Sequence, residues 1–167
     1  MNLQFYLEQV HLSDAYKDFV NENPKAYLCS GFFTIDKENT KMSNEKQFDF
    51  YIPDKKQMFI FKITAEGVEK HPVEMTSPNV PEKISDKMNF DFEKLEETVM
   101  DEMVRNNVKN KIQKIMISLQ KFEKKEMLVC TIFISMLGLL KVHINPKTNN
   151  VELFEKKSLF DMVKRIK

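Results

Sequence analysis

The sequence contains only three glycines and two cysteines and has no tryptophan. Loops that hold phosphate groups need glycine where the backbone approaches the ligand closely, so this scarcity excludes the dinucleotide-binding and P-loop patterns. Lysine and arginine number 26 against 25 aspartates and glutamates, which leaves a formal net charge of +1. Such a balance argues against nucleic acid or an anionic membrane as the main partner.

The few cysteines and histidines show no spacing typical of a site. Cys29 and Cys130 lie in apolar, strand-like surroundings without a Cys-x-x-Cys partner, and His11, His71 and His143 are far apart in the chain. Metal ligands and nucleophile–base pairs have closer or more regular spacings. We therefore predict no catalytic residue, no metal ligand and no cofactor. A thiol–imidazole pair between one cysteine and His143 is the alternative to two buried, reduced thiols.

Long hydrophobic runs are also missing. The longest apolar stretch, residues 128–140, is interrupted by Thr131, Ser135 and Gly138, and it is shorter than the roughly 20 residues that a spanning helix needs. The first residues lack the basic and apolar regions of a signal peptide. We expect a cytoplasmic protein that does not associate with membranes.

What the chain does contain is typical of a globular core. Hydrophobic residues make up 42% of its 167 residues, including 14 phenylalanines and 11 methionines. This length suits one compact domain or two small, closely packed ones. Methionine fills irregular gaps in cores and also serves adaptable binding surfaces, so its abundance is a mild indication of a pocket or groove.

The two halves of the sequence resemble each other. Apolar residues of a helical pattern recur at one constant offset, and Ser30 and Ser118 keep the same offset. The paired helical positions are Leu7 with Leu95, Leu12 with Met100, Tyr16 with Val104, and Val20 with Val108. A repeat of this length indicates that one supersecondary unit is used twice.

The pattern of each half predicts an amphipathic helix followed by about four antiparallel strands. Apolar residues spaced by three and four come first, and alternating apolar and polar residues follow. We predict an α+β fold with a first unit at 1–75, a linker at 76–90 and a second unit at 91–167, which share one fused domain or form two. The second helix is expected over 91–110, and Ser158–Asp161 resembles a capping box that opens a short C-terminal helix. Because Leu128–Ser135 is apolar on both faces, we expect it to be a central strand and the second half to form the central scaffold.

This order of a helix and then a strand meander resembles the cystatin-like fold and the PepSY-type domains that use it. The resemblance covers both halves and rests on element order together with two hairpins, at residues 63–69 and 144–152. The sequence has no Gln-x-Val-x-Gly motif in its loops and no paired Pro-Trp. Consequently the inhibitory residues of cystatins correspond to no position here.

Two functions follow as hypotheses. The first is a non-enzymatic protein-interaction module, an adaptor, inhibitor or complex subunit, that uses a sheet face or loops to bind another protein or a second copy of itself. The second is a binding protein for a small apolar ligand, held in a pocket between helix and sheet. The residues expected to line that pocket are Phe48, Phe50, Met58, Phe59 and Phe61.

Overall fold

The computed structural model describes residues 2–39, 44–75 and 78–158. These residues form three helices and eight strands. In chain order they are α1 (Leu3–Leu12), α2 (Asp14–Glu22), β1 (Tyr27–Asp36), β2 (Lys46–Ile52), β3 (Gln57–Ile63), β4 (Val68–Val73), α3 (Phe92–Arg105), β5 (Ile112–Phe122), β6 (Lys125–Ile134), β7 (Gly138–Ile144) and β8 (Val151–Ser158). The α+β class and the antiparallel sheet are confirmed. The predicted C-terminal helix, which would follow Ser158, lies outside the described residues.

All eight strands belong to one antiparallel sheet in the order β4-β3-β2-β1-β5-β6-β7-β8. The first strand of each half, β1 and β5, meet in the middle, with Phe33 opposite Ile117. The second half was expected to form the central scaffold, and it shares the centre of the sheet with the first half, since one strand from each lies there. Strand β6 does lie inside the sheet, between β5 and β7.

The helices cover one face of the sheet, which we call the helix-covered face. Alternation places Phe48, Phe50, Ile117, Cys130 and Val142 on this face, and each is at most 2% exposed. They share one core cluster with the buried residues of all three helices. Since that cluster draws on both halves of the chain, the described residues have a single continuous core.

Local sequence signals explain where the helices begin and end. Ser13 separates α1 from α2, since its hydroxyl accepts a hydrogen bond from the Tyr16 amide (3.3 Å). Asp91 caps α3 in the same way by accepting from the Glu93 amide (2.8 Å). Helix α3 ends at Arg105 rather than near residue 110, because Asn107 takes a left-handed conformation (φ 54°). That turn lets the Val108 amide bond back to the Met103 carbonyl (2.8 Å).

The described part of the linker, residues 78–90, is fixed to the rest of the fold. Ile84 is fully buried in the core, and its amide donates to the Leu28 carbonyl (2.9 Å). Further on, the Met88 amide donates to the Gln4 side chain (2.9 Å), and the Leu3 amide donates to the Phe90 carbonyl (2.8 Å). The segment thus joins β1 to the start of α1.

Candidate functional site

The opposite face of the sheet, which we call the open face, carries none of the helices of the described chain. It is formed by the other set of alternating side chains, and those on β5 are Lys114, Met116, Ser118 and Gln120. An antiparallel sheet that meets only water on one face is usually polar there. The open face departs from that pattern and is therefore the first candidate for a binding surface.

Five apolar side chains lie on neighbouring strands across the middle of the open face. Strand register places Phe32 beside Ser118 and Val129, and Lys114 beside Phe133 and Leu139. Met116 lies between these two rows. We call this set the apolar band: Phe32, Met116, Val129, Phe133 and Leu139. Each of the five side chains is half-buried.

Hydroxyl groups lie within the apolar band, and charged groups lie beside it. Thr34 and Thr131 lie on either side of Met116 in the strand register. Lys141 follows Thr131 on β7, and Glu155 follows Lys141 on β8. An apolar centre with a polar rim is the usual anatomy of a protein-binding surface.

A β-bulge shapes one end of the open face. The register between β1 and β2 shifts between Leu28 and Ser30, so that Cys29 lies at the irregularity. Its thiol donates to the Asp49 carbonyl (3.3 Å) and contacts the sulfur of Met58 (3.8 Å). Burial, followed by the charge of Asp49, raises the pKa of the Cys29 thiol to about 12. At neutral pH the group is therefore a protonated thiol with little nucleophilic character.

Beside the bulge lies a small polar group on β1 and β2. The Ser30 hydroxyl donates to one Asp49 carboxylate oxygen (2.5 Å), and the Gln47 amide donates to the other (3.2 Å). Burial raises the pKa of Asp49, and these two hydrogen bonds act in the opposite direction. They stabilise a half-buried carboxylate in this position.

The linker crosses the open face at the same end. The Tyr27 hydroxyl donates to the Pro81 carbonyl (2.8 Å), and the Ser85 amide donates to the Glu126 carboxylate (2.8 Å). A groove of about 390 Å³ lies between this segment and the sheet. Its lining mixes apolar and polar side chains: Cys29, Ser30, Met58, Val73, Glu74, Met75, Asn79, Pro81, Glu82, Gln120 and Lys121.

The structure separates the five residues predicted to line a ligand pocket. Phe48, Phe50 and Phe61 are at most 2% exposed in the core, and Phe59 lies on the same face, where its ring contacts that of Phe19 (5.4 Å). Met58 lies on the open face, opposite Tyr51. Aromatic rings from α2 contact Phe50, Phe59 and Phe61. The ligand-binding role of the five residues stays a prediction.

The sheet also separates the groups of the thiol–imidazole hypothesis. Cys130 is opposite Val142, whereas His143 is opposite Val129, so the thiol and the imidazole lie on different faces. Cys29 shares the open face with His143, but three strand spacings of about 4.8 Å lie between β1 and β7. His71, on the edge strand β4, is hydrogen-bonded to Glu69 (3.1 Å). Accordingly, none of these histidines contacts either thiol in the described part of the chain.

Metal ligands are not clustered either. Within residues 2–39, 44–75 and 78–158, no three histidine, cysteine, aspartate or glutamate side chains are close enough to hold an ion. The same residues contain no helix that has the length and apolar character needed to cross a bilayer.

The apolar band could not be predicted from the sequence. Alternation shows that a strand has two faces, but it does not show which face the helices will cover.

Comparison with known proteins gives the fold and little more. No protein-family model matches the sequence, and the curated proteins give no significant match. Among solved structures, the crystal structure of a putative lipoprotein from Clostridium difficile 630 is similar, with a TM-score of 0.57 and 14% sequence identity. The match covers 86% of this chain and 91% of that one. At this identity the similarity shows a shared fold alone.

Proposed function

We propose that this protein is a non-enzymatic interaction module that binds another protein through the apolar band of its open face. The proposal rests on the apolar composition of a band whose position would normally be polar. The band lies on the face that the described helices leave uncovered, and it consists of Phe32, Met116, Val129, Phe133 and Leu139. Apolar area concentrated on an uncovered face is a recognised mark of a protein-binding surface.

The chemistry of the open face agrees with binding rather than catalysis. A nucleophile needs an adjacent base or a lowered pKa. The Cys29 thiol has its pKa raised to about 12 instead, mainly by burial. The charges around the band are mixed in sign, which suits a protein partner better than a polyanion.

The duplicated architecture is part of the same proposal. Each half has its helical segment before four strands in the chain. Under the offset that equates Ser30 with Ser118, Gly31 corresponds to Leu119, and these two residues face each other in the β1–β5 ladder. This symmetry is expected if the chain contains two copies of one unit, joined through their first strands. The unit itself would derive from a cystatin-like or PepSY-type ancestor. We further propose that the protein acts in the cytoplasm.

The proposal is tested with two matched substitutions, Val129→Lys in the apolar band and Val104→Lys on α3. Val104 is 75% exposed on a helix surface outside the band, so the two variants place the same charge on different surfaces. Each variant is immobilised, exposed to lysate of the source organism, and compared with the wild type by quantitative mass spectrometry. Urea unfolding verifies that both variants are folded.

We expect the wild type and Val104→Lys to retain the same protein in near-stoichiometric amounts, and Val129→Lys to retain at least tenfold less. The loss follows from placing a charge in the centre of a desolvated contact. Equal retention by Val129→Lys, or no stoichiometric partner for the wild type, would overturn the proposal.

A further inference from the structure

Three sulfur-containing side chains line the groove between the linker and the sheet. The Cys29 sulfur lies 3.8 Å from the thioether sulfur of Met58 on β3. Val73 is opposite Met58 in the β3–β4 ladder, and Met75 follows Val73 by two residues. Cys29, Met58 and Met75 all line this groove of about 390 Å³. The fold thus brings sulfur from three separate parts of the chain to one solvent-accessible place.

The irregular ladder of β1 places the Cys29 thiol there. The register shift between Leu28 and Ser30 leaves Cys29 out of the regular pairing with β2. The other cysteine, Cys130, keeps the alternation of β6 and is completely buried on the helix-covered face. Of the two thiols, that of Cys29 is therefore the one placed beside methionine sulfur in a groove.

The donor atoms of this cluster suit a soft metal ion. Thiolate and thioether sulfurs favour Cu(I), whereas Mg²⁺ and Ca²⁺ require oxygen ligands. The groove also contains the cation Lys121, whose ammonium group lies 3.8 Å from the Glu82 carboxylate. Because that ion pair balances its own charge, Lys121 adds little repulsion toward a metal cation.

The charge next to the thiol also favours a cation. Burial, followed by the negative charge of Asp49, raises the pKa of the Cys29 thiol to about 12, since a nearby anion opposes formation of a thiolate. The same anion attracts a metal ion. A thiol that binds a metal loses its proton, and the hydrogen bond from the Cys29 sulfur to the Asp49 carbonyl (3.3 Å) is then given up.

We infer that Cys29, Met58 and Met75 form a binding site for a single Cu(I) ion. The S–H bond of Cys29 breaks as its sulfur bonds to the ion, and the proton passes to the solvent. Each thioether sulfur donates a lone pair, and no group is oxidised or reduced. The inference stands apart from the proposed function, because the groove uses none of the residues of the apolar band.

The experiment uses the purified full-length chain under nitrogen with ascorbate. Cu(I) is supplied as its coloured bicinchoninate complex, and the loss of colour measures the dissociation constant. The variants Cys29→Ser, Met58→Leu and Met75→Leu each remove one sulfur with little change in size. As matched controls, Cys130→Ser and Met116→Leu remove a thiol and a thioether elsewhere in the fold. Urea unfolding verifies that all five variants are folded.

We expect the wild type to bind one Cu(I) per chain, with an affinity that rises about tenfold for each pH unit as one proton is released. Cys29→Ser should lose this dependence on pH. Loss of a group that merely orients a ligand costs about 10–100-fold in metal affinity, so Met58→Leu and Met75→Leu should each bind at least about tenfold more weakly. The two controls should bind as the wild type does.

Three results would each overturn the inference: no transfer of Cu(I) to the wild type, an affinity that does not change with pH, or unchanged binding by either methionine variant. None of them depends on the capture of a protein partner, so the two proposals fail separately.

Discussion

The helix-covered face and the open face are formed by alternate residues of the same strands, yet they differ in depth of burial. On β5, Ile115, Ile117 and Leu119 are completely buried, while Met116 and Ser118 between them are half-buried. On the helix-covered side of the first half, aromatic rings interlock across two layers. The ring of Phe19 on α2 lies 5.1 Å from that of Phe61 and 6.2 Å from that of Phe50.

Most of the stabilising burial is therefore on one face. A residue on the helix-covered face is packed on all sides, so its substitution leaves a cavity. A residue of the apolar band loses fewer contacts, because part of its surface already meets solvent. The open face can therefore vary with a partner while the fold is kept.

The largest effect is expected from Phe61→Ala compared with Phe32→Ala. Phe61 is fully buried, and its ring contacts those of Phe19, Tyr16 (5.5 Å) and Phe50 (5.3 Å). Its truncation should lower the free energy of unfolding by about 3–5 kcal/mol. Phe32 is half-buried on the open face, and the same truncation should cost about 1 kcal/mol. Urea unfolding followed by circular dichroism measures both values, and equal losses would contradict the division between the faces.

An intermediate effect is expected from the two cysteines. Cys130→Ser places a hydroxyl without a partner in a site that is 0% exposed, which should cost about 1–3 kcal/mol. At Cys29 a serine hydroxyl can keep the bond to the Asp49 carbonyl, so Cys29→Ser should cost less than about 1 kcal/mol. Thermal unfolding of the two variants ranks them. If Cys29→Ser were the more destabilising change, the bulge rather than the core would be the more tightly packed site.

The chemical reactivity of the same two cysteines is a further prediction. Burial raises the pKa of each thiol to about 12, so neither forms appreciable thiolate at pH 8. With a disulfide reagent we expect slow reaction at both thiols in the native protein. The single-cysteine variants assign each rate, and we expect Cys29 to react before Cys130, because its strand is irregular at that point and local opening costs less than global unfolding.

Much of the fold follows from local patterns in the sequence. Alternation in residues 47–52 predicts that Phe48, Phe50 and Ile52 share one face, and the structure confirms it. Hairpins link neighbouring strands, so their pairing could be anticipated. The pairing of β1 with β5 could not, because it joins residues some 80 positions apart and no turn specifies it.

The candidate site was harder to predict for a related reason. Phe48 and Phe61 were expected to line a pocket because phenylalanine suits both a pocket and a core, and the sequence does not distinguish the two. Cys29 belongs to an apolar run, and only the bulge between Leu28 and Ser30 places its thiol on the open face. Ile84 and Phe90 lie in a proline-containing segment that reads as a linker, yet both are buried. Each of these outcomes depends on contacts with distant parts of the chain.

The smallest effect, a dependence of stability on pH, comes from Asp49 at the bulge. Burial raises its pKa in the folded protein, and the hydrogen bonds from Ser30 and Gln47 partly offset the increase. Because the folded state then holds its proton more tightly than the unfolded chain, ionisation of Asp49 favours unfolding. Its contribution to stability is fully present below the unfolded pKa of about 3.9 and is lost as pH rises through the higher folded pKa.

Asp49→Asn removes this titration and still offers an oxygen that accepts from Ser30. Relative to the wild type, the variant should therefore gain stability as pH rises from 3 to 7, as measured by urea unfolding at a series of pH values. Ser30→Ala serves as the matched control: it removes a hydrogen bond that lowers the Asp49 pKa, so its own stability should fall more steeply with pH than that of the wild type. A difference in free energy of unfolding between Asp49→Asn and the wild type that is the same at every pH would contradict this prediction. It would mean that the Asp49 carboxylate is solvated and that the bulge does not desolvate this part of the open face.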